Sequence, residues 1–226
     1  LLEELAELRQ RVAELEAAEA ERERADKALQ HRVGIEALVA AISTSFVGLS
    51  SAELDGGIDE ALRAIGEFTG VDRSYVFLLS EDRTRVDNTH EWCAPGIEPQ
   101  IESLQGLPID IFPWWMERLS RFESIHIPRV VDLPPEASAE KEILQSQDIR
   151  SLLVVPLAFG GAIIGFLGFD SVRAARTWPE ADITLLSTVG ETIAGALERQ
   201  WAEERLRWQA MLLEQIRDSI VATDLE

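Results

Sequence analysis

Residues 151–170 read SLLVVPLAFGGAIIGFLGFD, and this stretch decides the fold. From Leu152 to Phe169 it carries no charged residue. An uncharged helix of roughly 20 residues could cross a bilayer. Pro156 and the pair Gly160-Gly161 argue otherwise, because they fall in the middle, among β-branched and aromatic residues. Proline breaks a helix interior, and a Gly-Gly pair suits the positive φ values of a tight hairpin turn. The segment is therefore read as two buried strands, Ser151–Phe159 and Ala162–Asp170.

Working outward, Pro179 stands where a helix can begin, and an amphipathic helix is expected from Glu180 past Arg199. Its apolar face continues through Ile193, Leu197, Trp201, Glu204, Trp208 and Met211 at spacings of 4-4-3-4-3; the doubled four is a stutter, which locally unwinds a supercoil. Upstream, residues 94–147 are rich in proline and aromatics. They suggest short helices at Pro113–Phe122 and Ala137–Gln147, with a strand at Ser124–Ile127 between them. Before that come two strands, Ser74–Leu79 and Arg85–Cys93. Two helices precede these: one with the stripe Ile35, Leu38, Val39, Ile42, Phe46, Leu49, the other with Ile58, Leu62, Ile65 and Phe68, closed by Gly70.

The N-terminus has a different period. Leu1, Leu5, Leu8, Val12 and Leu15 alternate at fours and threes, the seam of a coiled coil. Glu19, Arg22 and Asp26 occupy the next seam positions before Leu29 and Val33 restore it. The middle of this helix should pair loosely, either as a plain solvated stretch or as a joint that passes a signal. Helices thus leave the globular part at both ends, as in a domain built to dimerise in parallel through Leu1, Leu5, Leu8, Val12, Leu15, Leu29, Val33, Ile193, Leu197, Trp201 and Trp208.

The 226 residues are 46% hydrophobic and 27% charged, with a formal net charge of -20. That acidity disfavours phosphate backbones and anionic lipid, so nucleic-acid and membrane-surface binding are not expected, and with 152–169 read as a hairpin no membrane insertion is expected either. Cys93 is the one cysteine; alone it makes no intrachain disulfide and no zinc framework, which fits a reducing, cytoplasmic setting. The chain opens at Leu1 inside a helical repeat, and is read as part of a longer protein.

The runs Ser151–Pro156, Gly160-Gly161, Ile164–Asp170 and Trp178–Asp182, in this order of elements, resemble the GAF domain of bacterial sensors. Trp92–Ile97 and Phe112–Met116 are similar to a subset found in multidomain diguanylate cyclases and histidine kinases. The likeness covers about Ile35 to Arg199. It implies an α+β fold: a six-stranded antiparallel sheet, of which five strands are visible above, with helices on both faces and long coiled-coil helices at both ends. Leu212–Glu226 resembles the start of a PAS domain. The organisation expected is 1–34 coiled coil, 35–199 GAF-like domain, 200–217 signalling helix and 218–226 the beginning of the PAS-like domain.

The resemblance further implies a pocket beneath the irregular region, where family members hold cyclic nucleotides, bilins, haem or small metabolites. Candidate lining residues are Phe77, Trp92, Phe112, Trp115, Phe122, Val154 and Phe166; Trp114 and Trp115 diverge on a helix, so at most one reaches a cavity. The same aromatics could instead fill the space and leave a ligand-free spacer. Cys93, followed by Ala94-Pro95 at a strand end, is poorly placed for the bilin linkage of phytochrome-like members. The cyclic-nucleotide signature is not traceable. The branch that reduces methionine sulfoxide needs more than one cysteine. His31, His90 and His126 lack further ligands at metal spacing, and no nucleophile triad or phosphate loop is present. The expectation is therefore a non-catalytic sensory and dimerisation module with no catalytic or metal-ligating residue and no assignable cofactor. The alternatives are the spacer and, behind it, a bilin or haem sensor.

Overall fold

The computed structural model describes residues 2–223, and the side chains of residues 10–12 and 14–213. In chain order the elements are α1 (Leu2–Val47), α2 (Leu54–Thr69), β1 (Arg73–Leu79), β2 (Arg85–Cys93), β3 (Leu107–Pro108), α3 (Pro113–Ser120), β4 (Ile125–Ile127), α4 (Ser138–Ser146), β5 (Ser151–Phe159), β6 (Ala162–Ser171) and α5 (Glu180–Thr223), with single 3-10 turns between some of them. The chain divides into two units, Leu1–Ala41 and Ile42–Glu226.

The first unit is helical throughout its described length. Val12, Leu15, Leu29 and Val33 of the seam are exposed in the single chain, between 52% and 66%. Leu1, Leu5 and Leu8 lie outside the described side chains.

In the second unit the six strands form one antiparallel sheet in the order β3-β2-β1-β6-β5-β4. The hairpin at its heart turns on Gly160 and Gly161, with φ of 59° and 79°. Both values lie in the left-handed region that a two-residue hairpin turn requires and glycine adopts without strain. β3 has only two residues and no hydrophobic period, so sequence reading missed it.

Side chains alternate across the sheet. Val76, Leu153, Val155, Leu157, Leu167 and Phe169 are buried toward α2 and α5. Ser74 joins them by donating its hydroxyl to Leu62 O at 2.8 Å. α5 buries Leu185, Leu186, Val189, Ile193, Ala194 and Leu197 on this face. This corrects the reading of Ile193 and Leu197 as intersubunit seam residues. They are 0% and 3% exposed within their own chain, because the stripe that continues toward the C-terminus begins as the stripe that packs on the sheet. Trp201 is partly buried and Trp208 is 61% exposed.

The end of α1 and the loop after it are tied to α5. Arg199 Nη2 donates to Phe46 O at 3.2 Å, Gln200 Nε2 to Ser51 O at 3.4 Å, and Ser51 Oγ to Glu203 Oε2 at 2.9 Å. Beyond Glu203 the α5 side chains through Leu213 are exposed. The backbone of α5 is helical to Thr223. The expected start of a further domain at 218–226 falls on side chains outside the description, and its last three residues lie outside it altogether.

Candidate ligand-binding cavity

The other face of the sheet is the floor of a cavity. On β1, Arg73, Tyr75 and Phe77 share this face. Opposite them on β6 stand Asp170, Gly168 and Phe166, in the registers Arg73↔Asp170, Tyr75↔Gly168 and Phe77↔Phe166. Gly168 is required by close approach: a Cβ there would lie 2.4 Å from the Tyr75 ring, which occupies that space. On β2 the alternation is broken by an extra residue, Thr89, between the pairs Val76↔His90 and Phe77↔Asn88. A bulge of this kind reverses which face the following residues present. Val86 and Asn88 face the cavity before it, and Glu91 faces the cavity after it.

The roof comes from α3, α4 and the turns around Leu104 and Leu107. α4 and its C-cap present Glu140, Ile143, Leu144 and Gln147, at the i, i+3, i+4, i+7 spacing of one helix face. α3 contributes Trp115 and Met116, preceded by Phe112. No side chain of its own N-cap closes α3. Its first amides are met instead by Glu140, whose Oε1 accepts from Trp114 N at 2.9 Å and Trp115 N at 3.2 Å. A carboxylate is favoured there because unpaired N–H groups and the helix dipole converge at that end.

At one end the cavity is aromatic. Phe77 and Phe166 stack at 4.8 Å, Tyr75 meets Phe77 edge-on at 5.6 Å, and Trp115 leans on Phe166 at 5.9 Å. The other end is polar and buried. Tyr75 donates its hydroxyl to Asp170 Oδ1 at 2.9 Å, and Arg73 Nη1 lies 3.6 Å from Asp170 Oδ2, an ion pair without a hydrogen bond. Burial pushes the Asp170 carboxyl up to about 7, against the downward pull of Tyr75 and Arg73. Burial, then the Asp170 charge, raises the Tyr75 hydroxyl well above its ordinary value. Glu91 Oε2 is held by Gln100 N at 2.7 Å and Ile101 N at 3.1 Å. The room for centres of water-sized molecules is about 60 Å³, several times the roughly 10–15 Å³ that one water needs.

Of the residues anticipated from sequence, Phe77, Phe112, Trp115 and Phe166 line this cavity together. Trp92 does not: the Thr89 bulge turns it toward α2, where its ring lies 2.4 Å from the position a Cβ on Gly66 would take. Phe122 does not either. It follows the last turn of α3 with φ of 60° and is 49% exposed. Val154 faces the right side of the sheet, opposite Ile125, but is fully buried in the apolar cluster beside the cavity. Sequence reading missed Arg73, Tyr75, Glu91, Glu140 and Asp170. The alternation of Arg73, Tyr75 and Phe77 was a usable signal for the first two, and the helical spacing from Glu140 to Gln147 for the fourth.

His90 and His126 stand on β2 and β4, four strand spacings or roughly 19 Å apart. His90 Nε2 is 3.5 Å from Asp55 Oδ1, on the α2 side. No group of metal-ligating side chains occurs among the described residues. Cys93 is half-buried, and burial followed by the Glu91 charge pushes its thiol up to about 12, which suppresses the reactive thiolate. No described helix is long and apolar enough to cross a membrane.

Residues 53–197 match the family model described as GAF domain. A curated relative, the methanogenesis regulatory histidine kinase FilI of Methanothrix harundinacea (strain 6Ac), is 31% identical over 168 residues, 72% of this chain. The chain spans 18% of that protein's length. Among solved structures, the phycoerythrobilin-bound GAF domain from a cyanobacterial phytochrome is similar over 75% of this chain and 97% of its own, at TM-score 0.63 and 20% identity. The GAF domain of an Acinetobacter phosphoenolpyruvate-protein phosphotransferase is similar over 73% and 93%, at TM-score 0.56 and 18% identity.

Proposed function

Because the chain belongs to the GAF domain family, we propose that it is a non-catalytic sensory module of a signalling protein, in which a small ligand in the cavity biases the outgoing helix α5. The observation that carries this is the position of β6. Phe166 and Asp170 of this strand line the cavity, while Leu167 and Phe169 are buried on the α5 side. A ligand that shifts β6 must therefore repack α5. It does so only to the extent that it binds one packing better than the other. The resemblance of this chain to a regulatory histidine kinase supports the signalling context. A kinase or diguanylate cyclase output is proposed for the protein as a whole.

Dimerisation is the second half of the proposal. Val12, Leu15, Leu29 and Val33 at one end, and Leu206, Trp208, Met211, Leu212 and Leu213 at the other, are exposed in the single chain. Helices with such uncovered apolar residues are suited to pairing in parallel with those of a second copy.

A ligand-free spacer is the second reading, favoured by the mutual contact of Phe77, Phe166 and Trp115 at the aromatic end. A pigment of four pyrrole rings fits poorly with about 60 Å³ of room and with a protonated Cys93. Haem fits poorly with a cavity that none of the three histidines lines. Native mass spectrometry of the purified protein, combined with hydrogen exchange over residues 180–213, tests the sensory reading. The expected result is a retained small molecule whose removal changes protection in α5. Protein that carries no added mass, and whose Tm is unmoved across a metabolite panel, would establish the spacer instead.

A further inference from the structure

Four polar atoms on three residues that line the cavity are buried without a hydrogen-bond partner: Nε and Nη1 of Arg73, Oε2 of Glu140 and Nε1 of Trp115. Arg73 is 4% exposed and Glu140 is 1% exposed. Orphaned polar atoms are rare in folded interiors, because each costs the desolvation of the group with nothing in return. Here all three residues line one cavity, and the groups are chemically opposed. Arg73, on the β1 floor, is ion-paired with Asp170 but makes no hydrogen bond through Nε or Nη1. Glu140, on the α4 roof, has one oxygen engaged by α3 and the other unused. Trp115 adds a third donor from the roof.

We infer that the cavity binds a small zwitterion of the amino-acid class, its carboxylate received by Arg73 and its ammonium by the free oxygen of Glu140. The inference rests on the sensory reading above and names the ligand class for that cavity. The two orphaned groups of opposite charge favour it over either ion alone. One cation, Arg73, and three carboxylates, Asp170, Glu91 and Glu140, line the space, so a ligand that adds only negative charge is disfavoured. A ligand of zero net charge with two separated poles engages one of each without adding an uncompensated charge. A simple carboxylate would leave Glu140 Oε2 orphaned, and a simple amine would leave Arg73 so. The limited room excludes a dinucleotide, and the Phe77–Phe166–Trp115 end offers an apolar wall for a short hydrocarbon body.

The test is a thermal-shift and calorimetric comparison on the intact chain, after exchange by dilution to remove any co-purified molecule. The probes are glycine, alanine, valine and the ω-amino acids β-alanine, 4-aminobutyrate and 5-aminovalerate, against propionate, butyrate, propylamine and butylamine. Binding by at least one amino acid, with its deaminated and decarboxylated counterparts at least tenfold weaker, is the expected result. Glu140→Gln keeps an amide oxygen for Trp114 N and Trp115 N while replacing the free oxygen by a donor, so the chain should fold and bind that amino acid roughly 10–100-fold more weakly. A carboxylate that binds as tightly as the amino acid, with Glu140→Gln indifferent, overturns the zwitterion. Absence of binding by every probe, while native mass spectrometry finds a different molecule retained, overturns it too and leaves the sensory reading standing. No binding by any probe and no retained molecule removes both.

Discussion

Replacing Glu140 by alanine probes the device that holds the roof over the cavity. Glu140 comes from α4, yet it closes the N-terminus of α3 through bonds of 2.9 Å to Trp114 N and 3.2 Å to Trp115 N. Alanine removes both and leaves the amide of a buried residue, Trp115, without an acceptor. Loss of a capping side chain costs about 0.5–2 kcal/mol. A buried unsatisfied donor costs about 1–3 kcal/mol. These overlap, so the expected loss is about 2–4 kcal/mol, or roughly 5–15 °C in Tm for a domain of this size. Glu140→Gln, which keeps one acceptor, should lose about 1 kcal/mol or less. Thermal unfolding followed by circular dichroism gives the magnitudes. Tryptophan fluorescence should report the displacement of Trp115 from Phe166 in the alanine variant only. An alanine variant as stable as the parent, with unchanged fluorescence, would refute the claim that this carboxylate organises the roof.

Two further outcomes follow from the floor. Gly168→Ala drives a methyl group into the Tyr75 ring, which lies 2.4 Å from the Cβ position. Urea unfolding should show a loss of about 1–3 kcal/mol, and the Tyr75 hydroxyl should withdraw from Asp170. Asp170 gives a pH dependence whose sign is fixed by its raised folded value. Between about pH 4, where an unfolded aspartate ionises, and about 7, where the buried one does, the folded chain holds a proton that the unfolded chain has released. The contribution of this group to stability is therefore complete below that window and declines as pH rises through it. Subtracting the stability profile of Asp170→Asn from that of the parent isolates the decline, and a flat or rising difference between pH 4 and 7 would contradict the burial argument.

Local chemistry in the sequence was enough for the hairpin at 151–170 and for the helix after Pro179, because turn glycines, proline positions and hydrophobic periods act over a few residues; the antiparallel α+β class came from the family resemblance. Four of the seven cavity residues read from sequence, Phe77, Phe112, Trp115 and Phe166, also came together. Three of the misplaced residues had a nonlocal cause. Trp92 changed faces because of one inserted residue, Thr89, which no periodicity marks. Ile193 and Leu197 are buried in the chain's own core, since a stripe has the same spacing whether a sheet or a partner helix covers it. The polar end of the cavity depended most on tertiary structure. Arg73 and Asp170 are 97 positions apart in the chain and become neighbours only through the β1–β6 register. Glu140 meets α3 only because the irregular region folds back over the sheet. Sequence chose the elements through short-range preferences; the pairing of strands and the closing of the roof decided which charges share a dry space.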